Sequence, residues 1–394
     1  MEPTILVTGG AGFIGVNYVK ALVSASPAPR VVVLDALTYA GCLASLSDET
    51  ASGTVVFVRG DIADSGLVAS LLRRERPAYI VNFAAESHVD RSIADPRPFI
   101  DTNIVGTQNL LEQARRWRDG QIAAGDEPTL KRFVQISTDE VYGHLAIDRP
   151  EGFRLSAELG RSLGRAEAPL AYGTESFSES TPLNPSSPYS ASKASADMIA
   201  LAYARTFAMP VCVTRCSNNY GPYQFPEKLI PLVINNILEG RAIPVYGAGE
   251  NVRDWLHVDD HVRAIEAVRL GGADGEVYNI GGFNERRNID IVRRLIDTVR
   301  RLVESDARYR DLAAISPEKM DYNLISHVAD RAAHDLRYAI DSSKLMERTG
   351  WRPEVDFDNG LERTVRWYLD KRGWVKDITD GDYRDYYRRM YGGE

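Results

Sequence analysis

The chain has 394 residues, 44% of them apolar, enough to bury one large core or two ordinary ones. Its 47 Lys and Arg stand against 55 Asp and Glu, a net charge of -8, and no long basic run offers a footprint for phosphates, so no nucleic acid partner is expected. No apolar run is long enough to cross a bilayer, the start lacks a signal-peptide pattern, and Cys42, Cys212 and Cys216 form no C-x-x-C pair; a soluble cytoplasmic protein without membrane partner, disulfide framework or cysteine metal site is expected.

In chain order, an apolar strand at Thr4 to Thr8 precedes a helical pattern from Phe13 to about Ser24, then strands at Val31 to Asp35, Val55 to Val58, Tyr79 to Phe83 and Phe133 to Ser137, with helical stretches between them. Strand and helix alternating at this spacing imply parallel neighbours joined by crossovers, an α/β fold with a doubly wound (Rossmann) sheet. From His144 to Ser180 the texture turns to Gly, Ser, Arg and Glu, an inserted loop with one short helix around Ser156 to Leu163. A further strand at Val211 to Cys216 completes a dinucleotide-binding domain over 1–216. Residues 217–394 form a smaller mixed domain over the carboxyl edge of the sheet, with some segments returning to the first domain. The end, Asp382 to Tyr391, reads as a docked surface helix. His257 and His261 lie four apart, but no cysteine or paired carboxylate completes a ligand set; a strand end running into a helix start explains them better than a metal.

Three stretches carry chemistry. Thr8-Gly9-Gly10-Ala11-Gly12-Phe13-Ile14-Gly15 joins the first strand to the first helix, and its glycines at 9, 12 and 15 permit a sharp turn, a close approach to a pyrophosphate and tight helix packing. The next strand ends at Asp35, where a carboxylate can hold both ribose hydroxyls and repel a 2'-phosphate, which favours NAD over NADP. Asp61-Ile62 ends the third strand; its carboxylate suits the adenine edge or a cap on the following helix equally well. Tyr189-Ser190-Ala191-Ser192-Lys193 sets a phenol and an ammonium on one helix face, and the cation is expected to lower the tyrosine pKa toward that of a working base. Ser137-Thr138-Asp139-Glu140 closes a strand at the carboxyl edge, where of two adjacent carboxylates one can stay protonated as acid while the other serves as base. Both reach one substrate only if the chain leaves strand geometry after Thr138, because consecutive strand residues face opposite ways.

Together with Phe83 to Ser92, Ser137 to Gly143, Ser187 to Lys193, Arg215 to Leu232 and Asp330 to Asp341, these stretches resemble the dTDP-glucose 4,6-dehydratases, a family of extended short-chain dehydrogenases/reductases, over nearly the whole chain. The Thr-Asp-Glu triplet separates dehydratases from sister epimerases and decarboxylases. The resemblance implies Tyr189 as base for the sugar 4-hydroxyl, assisted by Thr138 and Lys193, with Asp139 as the acid for the departing 6-hydroxyl and Glu140 as the base at C5. A C5 proton is hardly acidic until C4 is a ketone, so oxidation precedes elimination, and hydride returned to C6 leaves a 4-keto-6-deoxy sugar.

By the same resemblance the NAD contacts are Gly9, Gly12, Phe13, Ile14, Gly15, Asp35, Leu37, Thr38, Asp61, Ile62, Phe83, Ala84, Ala85, Ser87, Thr102, Tyr189, Lys193 and Asn219. A nucleotide-sugar substrate would meet Ser87, Thr138, Asp139, Glu140, Asn219, Glu227, Lys228, Leu229, Arg253, Asn288, Asp330, His334 and Tyr338. A homodimer through helices around Pro98 to Trp117 and Lys193 to Phe207 is also implied. The segment from His144 to Phe177 is longer than the family's usual connection and is expected to cover the active site or add an oligomer contact. Two other functions compete: a sugar-nucleotide 4-epimerase or decarboxylase, which needs no acidic pair, and a silent NAD-binding sensor or scaffold, which needs neither acid nor base.

Overall fold

A computed structural model describes residues 2–330 and 334–379; Asp382 to Tyr391 lies outside them. The central sheet holds β1 (Thr4–Thr8), β2 (Arg30–Asp35), β3 (Val55–Arg59), β4 (Tyr79–Asn82), β5 (Arg132–Thr138), β6 (Val211–Cys216) and β7 (Val277–Ile280). Their order is β7-β6-β5-β4-β1-β2-β3, and every neighbouring pair is parallel. The helices are α1 (Phe13–Val23), α2 (Ser65–Glu75), α3 (Thr107–Ala123), α4 (Pro188–Phe207), α5 (Leu229–Glu239), α6 (Val258–Gly271), α7 (Asn288–Ser305) and α8 (Phe357–Asp370), of which α1, α2, α3, α4 and α6 pack on this sheet.

Side chains alternate across a strand, and both faces of this sheet are apolar. Ile5, Val7, Val31 and Val33 therefore pack with Val16 and Val19 of α1 and Ile265 and Val268 of α6. Leu6, Val32 and Leu34 face the other way, onto Leu71 of α2, Leu110 of α3 and Ala200 of α4. The strand order reverses between β1 and β4, so a crevice opens beyond their carboxyl ends, the place where doubly wound sheets bind ligands.

A second core gathers Ile230, Val233 and Ile237 of α5, Val292, Leu295 and Val299 of α7, and Leu361 and Val365 of α8. A three-stranded sheet links the two cores: Val252–His257 pairs in parallel with Asn218–Tyr220 and antiparallel with Glu285–Arg287. Although α6 and β7 follow residue 217 in the chain, they pack on the central sheet.

The inserted segment folds on itself. Phe153–Arg154 pairs antiparallel with Leu170–Ala171, and Ser156 caps the short helix Ala157–Ser162. Arg337, 1% exposed, clamps the segment: it forms a bidentate pair with Glu285, both bonds 2.7 Å, and donates to the carbonyls of Gly173 and Glu175. Arg165 adds two bonds, to the carbonyls of Gly282 and Phe283. None of residues 144–180 lines the crevice over the sheet; the segment walls a smaller cavity with Asp254, Phe283 and Glu285 instead. The expected cover over the active site therefore does not come from the walls of this crevice, although the smaller cavity shares Asp254, whose charge acts on Asp139.

Candidate active site

The crevice is lined from β1 by the glycine turn. Gly9 has φ +67°, and a Cβ there would sit 2.5 Å from the backbone nitrogen of Ala84; one on Gly15 would sit 2.3 Å from the Gly9 carbonyl. Both glycines are thus required by the protein's own packing. Gly12, which begins α1, differs: a Cβ would meet only the Gly9 carbonyl, at 3.4 Å, and the residue faces the crevice. Its missing side chain leaves room for a ligand at a helix N-terminus, as a pyrophosphate requires.

Asp35 ends β2 with one oxygen accepting from the Ala11 N–H and the other from the Leu37 N–H. Burial raises its carboxyl, while those two bonds pull it down. They fix the carboxylate on the crevice wall with lone pairs to spare for hydroxyl donors. Leu37 itself is not a lining residue; at φ 55° it turns the chain so that its N–H reaches Asp35. Asp61 and Ile62 line the wall, and the cap of α2 is Asp64, which accepts from the Leu67 N–H. Phe13, Ile14, Thr38, Phe83, Ala84, Ala85, Ser87, Thr102 and Asn219 are also on the wall.

The catalytic candidates converge at the end of β5. β5 stops at Thr138, whose hydroxyl accepts the Glu140 N–H and caps a tight turn over Asp139–Tyr142. That turn ends strand alternation, so Asp139 and Glu140 both line the crevice. Asp139 is 1% exposed and one carboxylate oxygen has no partner. Burial, then the charges of Glu140 and Asp254, hold its carboxyl well above the usual carboxylate range, which favours its protonated form.

Tyr189 and Lys193 lie on the first turns of α4, which Ser187 opens with a reciprocal cap on Ser190 and Pro188 occupies the first position. Ser92 and Ser192 hold this turn, the first accepting the Tyr189 N–H and the second donating to its carbonyl. The Lys193 ammonium donates to the Ile136 carbonyl at 2.6 Å, and burial lowers its pKa. The expected lowering of the Tyr189 phenol by Lys193 is not what this state has: burial and the Glu140 charge push the phenol up, against a bond from Thr138.

The expected substrate residues fall into two groups. Ser87, Thr138, Asp139, Glu140, Asn219, Glu227 and Lys228 line the crevice. Leu229 begins α5 just behind them. Arg253, Asn288, Asp330, His334 and Tyr338 do not line it. Arg253 stacks over the Tyr338 ring at 4.2 Å and donates to the Asp335 carbonyl, His334 meets Asp330 at 2.6 Å, and the buried amide oxygen of Asn288 has no partner. Arg253 nevertheless acts on the Asp139 carboxyl and Glu140 on the Tyr338 phenol, so these two residues adjoin the acid pair.

Sequence reasoning named Glu227 for the substrate but missed the charged cluster it forms with Arg91 and His88. Glu227, buried, pairs with Arg91 at 3.2 Å and lies 3.7 Å from His88, while Arg91 stacks on the Tyr39 ring at 3.9 Å. Asp335, which binds Ser186 and Tyr338 through one oxygen, was missed as well. The Glu227 cluster carries no local signal, because Arg91 is 136 positions away, and the Asp335 bond to Ser186 spans 149, although its bond to Tyr338 spans only three. Among the described residues no group of three or more His, Cys, Asp or Glu could hold a metal ion, and no helix is long and apolar enough to cross a membrane.

A doubly wound sheet with a glycine cradle, a Tyr and Lys pair on a helix and an acid pair at the sheet edge defines a dinucleotide-dependent enzyme. The chain belongs to the NAD dependent epimerase/dehydratase family, whose model matches residues 5–281, and its full-length relatives place it among the dTDP-glucose 4,6-dehydratases. It is 46% identical to dTDP-glucose 4,6-dehydratase 1 of Escherichia coli K12, over 99% of both chains, and 46% identical to the dTDP-glucose 4,6-dehydratase of Xanthomonas campestris, over 97% of both. Among solved structures it is similar to the Streptomyces venezuelae dTDP-glucose 4,6-dehydratase bound to NAD and dTDP, at 44% identity and a TM-score of 0.78, covering 95% of this chain and 99% of that one.

Proposed function

We infer that this chain is a hydro-lyase that converts dTDP-glucose to dTDP-4-keto-6-deoxyglucose with NAD as a resident cofactor. One observation carries the reading: a buried Asp139, its carboxyl held above the usual range, lies beside Glu140 in the crevice shared with Tyr189, Lys193 and the glycine cradle. An epimerase has no use for that acid, and a cofactor sensor has no use for any of the four side chains. Gly12, Asp35 and the Thr38 loop would hold NAD, which when bound takes the sugar C4 hydride and gives it back at C6.

The protein's own part is proton management. Tyr189 accepts the 4-hydroxyl proton as its phenolate; the bond from Thr138 favours that form, while burial and the Glu140 charge oppose it. Glu140 takes the C5 proton once C4 is a ketone, and Asp139 delivers its proton to the leaving 6-hydroxyl. Arg253 supplies a planar fork suited to a diphosphate.

The chain works as a cytoplasmic homodimer on this reading. Ile100 and Val105 on the helical turns before α3, and Met198 and Phe207 on α4, are apolar and exposed on the two helices that the family resemblance assigns to the interface. Its cysteines are free thiols. Incubating the purified protein with dTDP-glucose, UDP-glucose and GDP-mannose and weighing the products tests the substrate: loss of one water from dTDP-glucose is expected, and none would sink the reading. Asp139→Asn and Glu140→Gln variants that keep full activity would exclude dehydration.

A further inference from the structure

His261 is a fully buried imidazole to which the chemistry above gives no task. It lies on the first turn of α6, the helix begun by His257 at the end of the strand that pairs with Asn218–Tyr220. That register sets Leu256 opposite Asn219, two residues before α6 begins. The His261 Nδ1 lies 3.0 Å from the Asn219 Oδ1, and its Nε2 is buried with no partner. Burial alone lowers its pKa to about 3, so the ring is neutral at working pH.

A neutral ring has one N–H, and the surroundings decide which nitrogen carries it. With the proton on Nδ1 the ring donates to the Asn219 carbonyl and leaves only a lone pair at Nε2. With the proton on Nε2 a buried donor is stranded and two lone pairs face each other at Nδ1. The first tautomer is therefore the stable one. The Asn219 amide is oriented independently, because its Nδ2 donates to the Ser217 carbonyl at 2.9 Å. Gln224 fixes the backbone by donating to the Asn219 carbonyl at 3.0 Å. One amide hydrogen is thus committed to Ser217, which leaves the other for a ligand in the crevice that Asn219 lines.

We propose that His261 is a positioning residue: it locks the Asn219 amide so that a single N–H donor is aimed at the nucleotide diphosphate in the crevice. The inference rests on the nucleotide-sugar reading above. His261 touches no reacting atom, so its loss weakens ligand binding and leaves the pH profile of turnover in place.

Three measurements test it. Calorimetric titration of the NAD-loaded enzyme with dTDP is expected to show about 10-fold weaker binding for His261→Leu, the order of one hydrogen bond, and near-native binding for His261→Asn, whose amide can replace the Nδ1 donor. In an Asn219→Ala background, His261→Leu adds no further loss. The 15N shifts of the labelled His261 ring report a protonated Nδ1, a readout that survives even if the leucine variant fails to fold. Equal dTDP affinity in His261→Leu and the unaltered chain, an additive double variant, or a protonated Nε2 each overturns the proposal. Failure of the unaltered enzyme to bind dTDP overturns the substrate reading itself while leaving the tautomer measurement to stand.

Discussion

Replacing Gly12 by alanine separates what the glycine turn does for the fold from what it does for the ligand. At φ -82° and ψ 171° Gly12 already has a backbone that alanine adopts freely, and the new Cβ meets only the Gly9 carbonyl, at 3.4 Å. Two small terms offset one another: the unfolded chain loses entropy, worth about 0.4–1 kcal/mol in favour of the fold, and alanine is a poorer helix cap than glycine by a similar amount. Stability should therefore stay within about 1 kcal/mol of the unaltered chain. The methyl group instead stands where a pyrophosphate must approach the start of α1. Loss of one charge-assisted backbone bond, about 1.5–3 kcal/mol, weakens NAD binding by about 10- to 100-fold. Gly15→Ala is the contrast, because its Cβ falls 2.3 Å from the Gly9 carbonyl and 2.8 Å from the Gly10 Cα, so backbone must move at a cost of about 1–3 kcal/mol. Calorimetric titration of cofactor-stripped protein with NAD, beside thermal melts of both variants, reads the two effects separately. Native NAD affinity in Gly12→Ala, or melting as low as that of Gly15→Ala, would refute the assignment of this glycine to the ligand.

The acid role of Asp139 makes a signed prediction about pH. The rate falls as Asp139 loses its proton with rising pH; burial, Glu140 and Asp254 raise its carboxyl pKa while Arg253 lowers it. Asp254→Asn should therefore move the alkaline limb of the kcat profile to lower pH and Arg253→Leu to higher pH. The Asp254 carboxyl is itself pushed up to about 6 by burial, so its effect belongs above that pH; limbs that move the same way contradict the argument. Arg337→Met leaves Glu285 buried and unpaired, which should cost about 3–5 kcal/mol in urea unfolding and open residues 144–180 to protease, whereas the double variant with Glu285→Gln should lose less than the sum. A thiol reagent should reach Cys42 first in the native enzyme. Cys212, whose thiol burial pushes up to about 12, and Cys216, pushed higher still, should react only on unfolding; native-state labelling of Cys216 contradicts that.

The parts of the site that were legible in the sequence are those whose geometry is local. Gly9 to Gly15 and Asp35 belong to one strand, helix and strand unit, and Tyr189 and Lys193 to one turn of helix, so spacing alone fixes their relation. The side-by-side reach of Asp139 and Glu140 was in doubt from strand alternation, and the resolving signal lay one residue earlier: a threonine at the strand end, able to accept the Glu140 N–H and start a turn. The clamp of the inserted segment and the Glu227 cluster have no such signal. Arg337 meets Glu285 across 52 positions and Arg91 meets Glu227 across 136, so only the folded chain brings them together.

That division has a functional side. The chemistry of oxidation and elimination sits on rigid, locally encoded elements at the sheet edge. On the proposed reading, recognition of the nucleotide sugar would draw on Asn219, Glu227, Arg253 and Tyr338, placed by contacts between distant segments. A substitution at those contacts should therefore disturb binding before it disturbs the proton steps. His261, whose Asn219 contact spans 42 positions, is the point where the two layers meet.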